Sequence, residues 1–145
     1  MEKIYKFYSL ERWFYQHKMK VLAIFVRALI RLIFSADIPY KLQIGKGTIF
    51  PHDALGCVFH PDVVIGENSV ILHGVTMGGV GGKKGLPVVM DNVFVGAHAQ
   101  ILGPVKIGRK SIIGGGSVVV KDVPENCVVA GVPAKVVRYL NKNGE

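Results

Sequence analysis

Cysteine is scarce in this sequence: Cys57 and Cys127 are the two in 145 residues. Two cysteines cannot build a disulfide framework, and their spacing matches no metal-binding pattern, so both read as small buried hydrophobes. Long hydrophobic runs are also lacking. Half of the residues are apolar, yet Arg27 and Arg31 interrupt the longest stretch before it reaches the roughly 20 residues that a membrane-crossing helix needs. No short apolar segment ending in a small-residue cleavage site follows the N-terminus, where Glu2, Lys3 and several aromatics stand, so a cytoplasmic protein is expected. Zinc-finger spacing and RNA-recognition signatures are missing, which argues against a nucleic-acid partner despite the net charge of +8. Residues 1–40 carry seven Lys/Arg against three acids, and the remainder eleven against seven. A phosphorylated small molecule or an anionic membrane surface accounts for that excess equally well.

Glycine is absent before Gly45, although the chain has 18, whereas nine of the 13 aromatics fall before residue 41. That shift divides the chain into an N-terminal segment, 1–36, a domain over 37–139 and a tail, 140–145. The first segment has neither Pro nor Gly from about Leu10 to Phe34, which predicts one helix. At helical spacing Gln16, Lys20, Arg27 and Arg31 form a narrow polar stripe, and apolar residues such as Val21, Phe25, Leu29 and Leu32 fill most of the remaining circumference. So wide an apolar face needs a cover. The rest of the protein, a neighbouring subunit, or peripheral attachment to the cytoplasmic face of a membrane would each supply one.

From Ile38 onward an aliphatic or aromatic residue recurs every six positions: Ile38, Ile44 and Phe50; Phe59, Ile65, Ile71 and Met77; then, after a loop, Val89, Val95, Ile101, Ile107, Ile113 and Val119. Four places after each start stands a mostly small or β-branched residue, from Leu42 and Thr48 to Ser117 and Val123. A helix cannot hold a period of six on one face, because six steps leave it about 240° out of phase. The pattern predicts a parallel β-helix. Each hexad would supply one short strand and one turn, and three hexads one triangular coil of 18 residues. Hexad starts would point inward and stack on the residue 18 later, as Met77, Val95 and Ile113 would, with the glycines that follow many of the starts permitting the turn. Between Phe50 and Phe59 the interval is nine. Three surplus residues near 53–58 would bulge outward and expose His52.

Several of these hexads, "IGRKSI IGGGSV" followed by "VPENCVVAGVPAKVV", resemble the hexapeptide-repeat acyltransferases, and "ADIPYKLQIGKG", "ILHGVTMGG" and "VFVGAHAQILGPVKIG" are most similar to the serine O-acetyltransferase branch. The resemblance spans residues 37 to about 139. It implies an all-β, left-handed parallel β-helix preceded by an α-helix, assembled as a homotrimer, that transfers an acetyl group from acetyl-CoA directly to a hydroxyl, with no metal. It further implies that His52 is the general base and Asp37, fifteen residues earlier, its orienting partner. That chemistry needs a neutral imidazole to take the hydroxyl proton and a carboxylate to hold its tautomer. Gly79, Ala97 and Gly115 are placed by the resemblance along the pantetheine arm; Ala97 and Gly115, 18 residues apart, would stack on successive coils. Gly78 and Gly79 offer backbone N–H groups for an oxyanion. Lys121 and Lys135 are expected at the CoA phosphates, and His73, Lys83 and Lys84 near the substrate. The other histidines read as surface or packing residues.

The chain departs from the serine enzymes it resembles. Those have a large helical N-terminal domain, an aspartate just before the catalytic histidine and an Arg-His pair before the loop proline. Here stand one predicted helix, Pro51, and Gly85-Leu86 before Pro87. Without those charges the site lacks the grip for a zwitterionic amino acid. A sugar hydroxyl in surface polysaccharide biosynthesis is therefore the expected acceptor. Serine acetylation for cysteine biosynthesis is the alternative, and a non-catalytic β-helix binding subunit is an alternative of another class. A metalloenzyme on the same scaffold would require three converging histidines, with His60, His73 and His98 as the candidates.

Overall fold

The six-residue rhythm becomes three parallel sheets wound into a triangular prism. In the computed structural model, which describes residues 3–141, one face is built from β1 (Gln43–Ile44), β3 (Val64–Ile65), β6 (Val88–Val89) and β9 (Lys106–Ile107). A second stacks β2 (Val58–Phe59), β5 (Thr76–Gly78), β8 (Gln100–Leu102) and β11 (Val118–Val119). The third holds β4 (Val70–Ile71), β7 (Phe94–Val95), β10 (Ile112–Ile113) and β12 (Cys127–Gly131), closed by the antiparallel β13 (Ala134–Tyr139). That closing hairpin covers the last strand edge of its face.

The side chains divide as the period demands. Apart from the half-buried Ile44, the hexad starts are buried, and so are the residues four places on, from Leu42 to Val123, except Gly81 in the long loop. These rows form one continuous hydrophobic core. The polar residues among the corner positions bond locally: Thr48 Oγ1 donates to the Gly66 carbonyl at 2.7 Å and Ser111 Oγ to the Gly108 carbonyl at 2.7 Å. A buried hydroxyl without such a partner would cost about 1–3 kcal/mol.

Two details of the stacking correct the sequence reading. Val95 lies beside Ile113 as expected, but Met77 pairs with Ile101 and belongs to a different face from Val95. The loop over residues 79–87 lengthens its coil by six residues, so partners there stand 24 apart, as Ile65 and Val89 do. The glycine after a hexad start also has a different task from the one assigned to it. A methyl group on Gly96 would lie 2.5 Å from the Gly115 nitrogen, and one on Gly108 2.5 Å from the Glu125 nitrogen. These glycines let successive coils approach. The left-handed turn comes two residues later, where Gly47, Asn68, Gly74, Asn92, His98, Lys110 and Gly116 have positive φ.

The N-terminal segment is a helical hairpin rather than one helix. Helix α1 (Lys3–Gln16) and helix α2 (Lys20–Phe34) meet at a tight turn where Lys18 has φ 61°. A single helix would leave most of its apolar circumference in water. Folding back lets Phe7 meet Phe34 edge-on at 5.4 Å and sends Ile4, Tyr8, Val26, Ile30 and Phe34 into the core below the first coil. Polar contacts fix the seating. The Tyr8 hydroxyl donates to the Leu42 carbonyl at 2.6 Å, Arg12 donates to the carbonyls of Tyr40 and Leu42, and Tyr15 stacks on Tyr40 at 4.5 Å. Of the tail, residues 142–145 lie outside the described residues.

Candidate active site

Among the described residues, His52 stands in the longest run of left-handed backbone. In the short helical turn Pro51–Ala54, His52, Asp53 and Ala54 have φ of 62°, 52° and 56° in succession. A left-handed residue with a side chain costs roughly 1–2 kcal/mol, so three together persist only where their surroundings hold them. The holding contacts are visible. The Ile4 amide at the start of α1 donates to Asp53 Oδ1 at 3.1 Å, Leu55 N–H donates to the His52 carbonyl at 3.1 Å, and Gly56 N–H donates to the Ser35 carbonyl at 3.1 Å. Ala54 is buried as the corner residue of its hexad, while His52 is exposed. This turn takes up the three surplus residues, since Ile44 pairs with Ile65, 21 positions on.

Two further histidines lie in line with it. His73, one 21-residue coil after His52, meets that ring edge-on at 5.4 Å and 89°, and His98 meets His73 at 5.1 Å and 87°. The His98 amide donates to the His73 carbonyl at 3.0 Å. A side chain on Gly74 would collide with the His98 ring, so the glycine makes room for it. His73 Nδ1 is buried with no hydrogen-bond partner. Sequence reasoning singled out His73 beside the substrate but treated His98 as a packing residue. The signal was available: the lengthened coil carries 24 residues, and 25 separate His73 from His98. His60 is elsewhere, exposed and 3.9 Å from Asp62. Among the described residues no trio of His, Cys, Asp or Glu is disposed to hold a metal ion, so the converging set of His60, His73 and His98 is not formed.

Asp37 differs from expectation. Its backbone joins the coil beside the bulge, accepting from Phe59 N–H at 3.0 Å and donating to the Cys57 carbonyl at 2.8 Å. Its carboxylate, 15% exposed, is taken by two guanidinium groups of α2: Arg27 reaches Oδ1 at 2.8 Å and Arg31 reaches Oδ2 at 2.9 Å. No hydrogen bond joins it to His52. Fixed charges on a neighbouring helix outcompete a neutral imidazole for a carboxylate. Arg27 and Arg31, which the sequence placed on the polar stripe of a helix, are thus the residues that hold Asp37. Close by, Glu11 of α1 is fully buried; Tyr40 N–H donates to its Oε1 at 2.9 Å, and its Oε2 has no partner. Burial pushes its carboxyl up to about 8, against the smaller opposing effects of the Tyr40 bond and Arg27.

The residues expected at acetyl-CoA fall in two places. Ala97 and Gly115 are adjacent on successive coils, with Gly116 N–H donating to the Ala97 carbonyl at 2.8 Å. Lys83 and Lys121 line one cleft of about 220 Å³ with Val80, Gly103, Pro104 and Asp122. Gly78 ends β5 facing open space, and Gly79 begins the long loop. Lys84 and Lys135 are exposed and outside that cleft. Cys57, buried and donating to the Leu72 carbonyl, has its thiol raised by burial to about 11, which keeps it inert.

Comparison with known proteins agrees with this geometry. The profile of the bacterial transferase hexapeptide (six repeats) family matches residues 87–121. The serine acetyltransferase of Mycobacterium tuberculosis is 41% identical over 133 residues, covering 90% of this chain and 57% of that protein. The structure of a serine acetyltransferase from Brucella abortus strain S19 in complex with coenzyme A superposes with a TM-score of 0.88 at 38% identity, over 94% of this chain and 55% of the other. The Neisseria gonorrhoeae serine acetyltransferase in complex with serine gives 0.86 at 38% identity, over 93% and 55%. This chain spans about half the length of the relatives it matches. The fold is the left-handed parallel β-helix that the resemblance implied. Repeat, coil geometry and similarity agree, and the chain belongs to the hexapeptide-repeat transferases.

Proposed function

We propose that this chain is an acetyl-CoA-dependent O-acetyltransferase with His52 as its general base and the hydroxyl of serine as acceptor. The observation that carries the reading is the strained bulge: it exposes the His52 imidazole, with His73 and His98 ranged beside it, in a chain that superposes on serine acetyltransferases holding coenzyme A and serine. In the reaction His52 takes the hydroxyl proton as the oxygen attacks the thioester carbonyl. The tetrahedral intermediate then expels the CoA thiolate, which recovers the proton from the imidazolium. His73 packs against the base and limits its rotation. Asp37 is a positioning residue: its ion pairs tie α2 to the coil position directly after the bulge.

The small residues Ala97 and Gly115 suit a thin pantetheine arm lying against backbone, and Lys83 with Lys121 supplies positive charge for phosphates. A sugar hydroxyl is the second reading, favoured by one observation. Pro51 and Gly85-Leu86 occupy positions where charged contacts to an amino acid are expected, and the carboxylate next to His52 in the sequence, Asp53, is engaged by the Ile4 amide. Thiol release from acetyl-CoA separates the readings. Turnover with L-serine well above that with a panel of free and nucleotide-linked sugars is expected; the reverse order transfers the assignment to the sugar. No turnover with any hydroxyl, and no retention on immobilised CoA, would leave a binding subunit.

A further inference from the structure

The helical hairpin leaves one of its faces without a cover. Ala23, Val26, Ile30 and Phe34 bury one stripe of α2 against the protein, yet Val21 is 79% exposed, Phe25 61% and Leu32 80%. At about 100° per residue these three fall within roughly 40° of one another, and Ile24 and Leu22 flank them. The stripe therefore runs the length of α2. Its charge surroundings are mostly basic. Lys3, Lys6, Lys18 and Lys20 are exposed. Between Lys3 and Phe34 the sole acid is Glu11, which is fully buried. Glu2 stands just before the hairpin in the sequence, and the first acid after it, Asp37, is covered by Arg27 and Arg31. Lys20 and Arg31 border the apolar stripe on one side by the same helical spacing.

We infer that this face docks the protein onto an anionic lipid surface, with Val21, Phe25 and Leu32 entering the acyl boundary and Lys18 and Lys20 meeting the headgroups. The charge distribution selects this occupant. A second copy of the chain would bring a lysine-rich hairpin, its one acid buried, against its own like, whereas anionic headgroups complement it. Among the described residues no helix is long and apolar enough to cross a membrane, so the contact is interfacial. Lipid attachment would also set the coil that carries His52 beside the bilayer, because α1 and α2 hold that coil through Asp53 and Asp37.

Vesicle flotation of the full chain tests this independently of any activity. With vesicles of phosphatidylglycerol and phosphatidylcholine in equal parts the protein is expected to float, and with phosphatidylcholine alone to stay at the bottom. Lys18→Gln with Lys20→Gln should lower the partition coefficient roughly thirtyfold at low salt, taking roughly 1 kcal/mol per charge. Phe25→Glu with Leu32→Glu should abolish flotation while thiol release from acetyl-CoA in detergent-free buffer is unchanged. If that pair disturbs the hairpin by circular dichroism, Val21→Gln with Leu32→Gln removes the same stripe at its two most exposed positions. Equal partition onto neutral and anionic vesicles, or none onto either, overturns the inference. So does a concentration-dependent association that Leu32→Glu breaks in the absence of lipid, which would make the face a contact between copies.

Discussion

Glu11 offers the sharpest quantitative test of how the hairpin is seated. Its carboxyl is fully buried with one oxygen unpartnered, and burial pushes it from the ordinary 4.5 of a glutamate up to about 8. Below the lower value both folded and unfolded chains hold the proton, and burial carries no ionic penalty. Between the two values the unfolded chain releases the proton and the folded chain keeps it. Stability therefore falls as pH rises through this window, and above about 8 the folded chain bears a buried charge. The span of the window sets a ceiling of about 5 kcal/mol, at ~1.4 kcal/mol per pH unit. Glu11→Gln keeps an acceptor for the Tyr40 amide and cannot ionise. Thermal melts of variant and parent should nearly coincide at about pH 5, and the variant should pull ahead by about pH 9, by a Tm gap on the order of 10 °C at the ceiling. Parallel profiles across that range would refute the claim that Glu11 is held neutral by burial.

Two other substitutions probe the bulge and the coil spacing. His52→Gly removes the imidazole and relieves one left-handed residue; acetyl transfer should drop by roughly 10²–10⁴ while Tm stays level or rises, and a large loss of Tm would mean that the ring, rather than the contacts around it, holds the turn. Gly96→Ala places a methyl 2.5 Å from the Gly115 backbone nitrogen, where no flexible side chain can give way. A cost of about 1–3 kcal/mol is expected from overpacking, read by urea denaturation, and a neutral result would show that successive coils can separate freely.

Much of the architecture was legible because the solenoid repeats locally. A hexad start such as Ile101 is buried for a reason visible in its own neighbourhood: a period of six puts it inward on each coil, and its partner lies one coil away. The same arithmetic marked the nine-residue interval after Phe50 and so pointed to His52. It mistook the partner of Met77 because the residue count alone does not say whether the six residues of the 79–87 loop lie on the wall or outside it. It also assigned the turn to the glycines after the hexad starts, since a preference for glycine looks the same whether φ or close approach requires it. The helical hairpin escaped for a similar reason: Lys18 takes a left-handed conformation without a glycine or proline to announce it.

The sequence by itself determined the winding, the inward rows and the place where the coil must bulge, because each depends on spacing along the chain and on which residues avoid water. Only the tertiary structure decided which charged groups meet. Asp37 pairs with Arg27 and Arg31 rather than with His52, Glu11 is sealed beneath the hairpin, and His98 joins His52 and His73. Side-chain partners depend on how α1 and α2 sit across the first coil, and that seating is fixed by shape and by satisfaction of buried polar groups between distant segments.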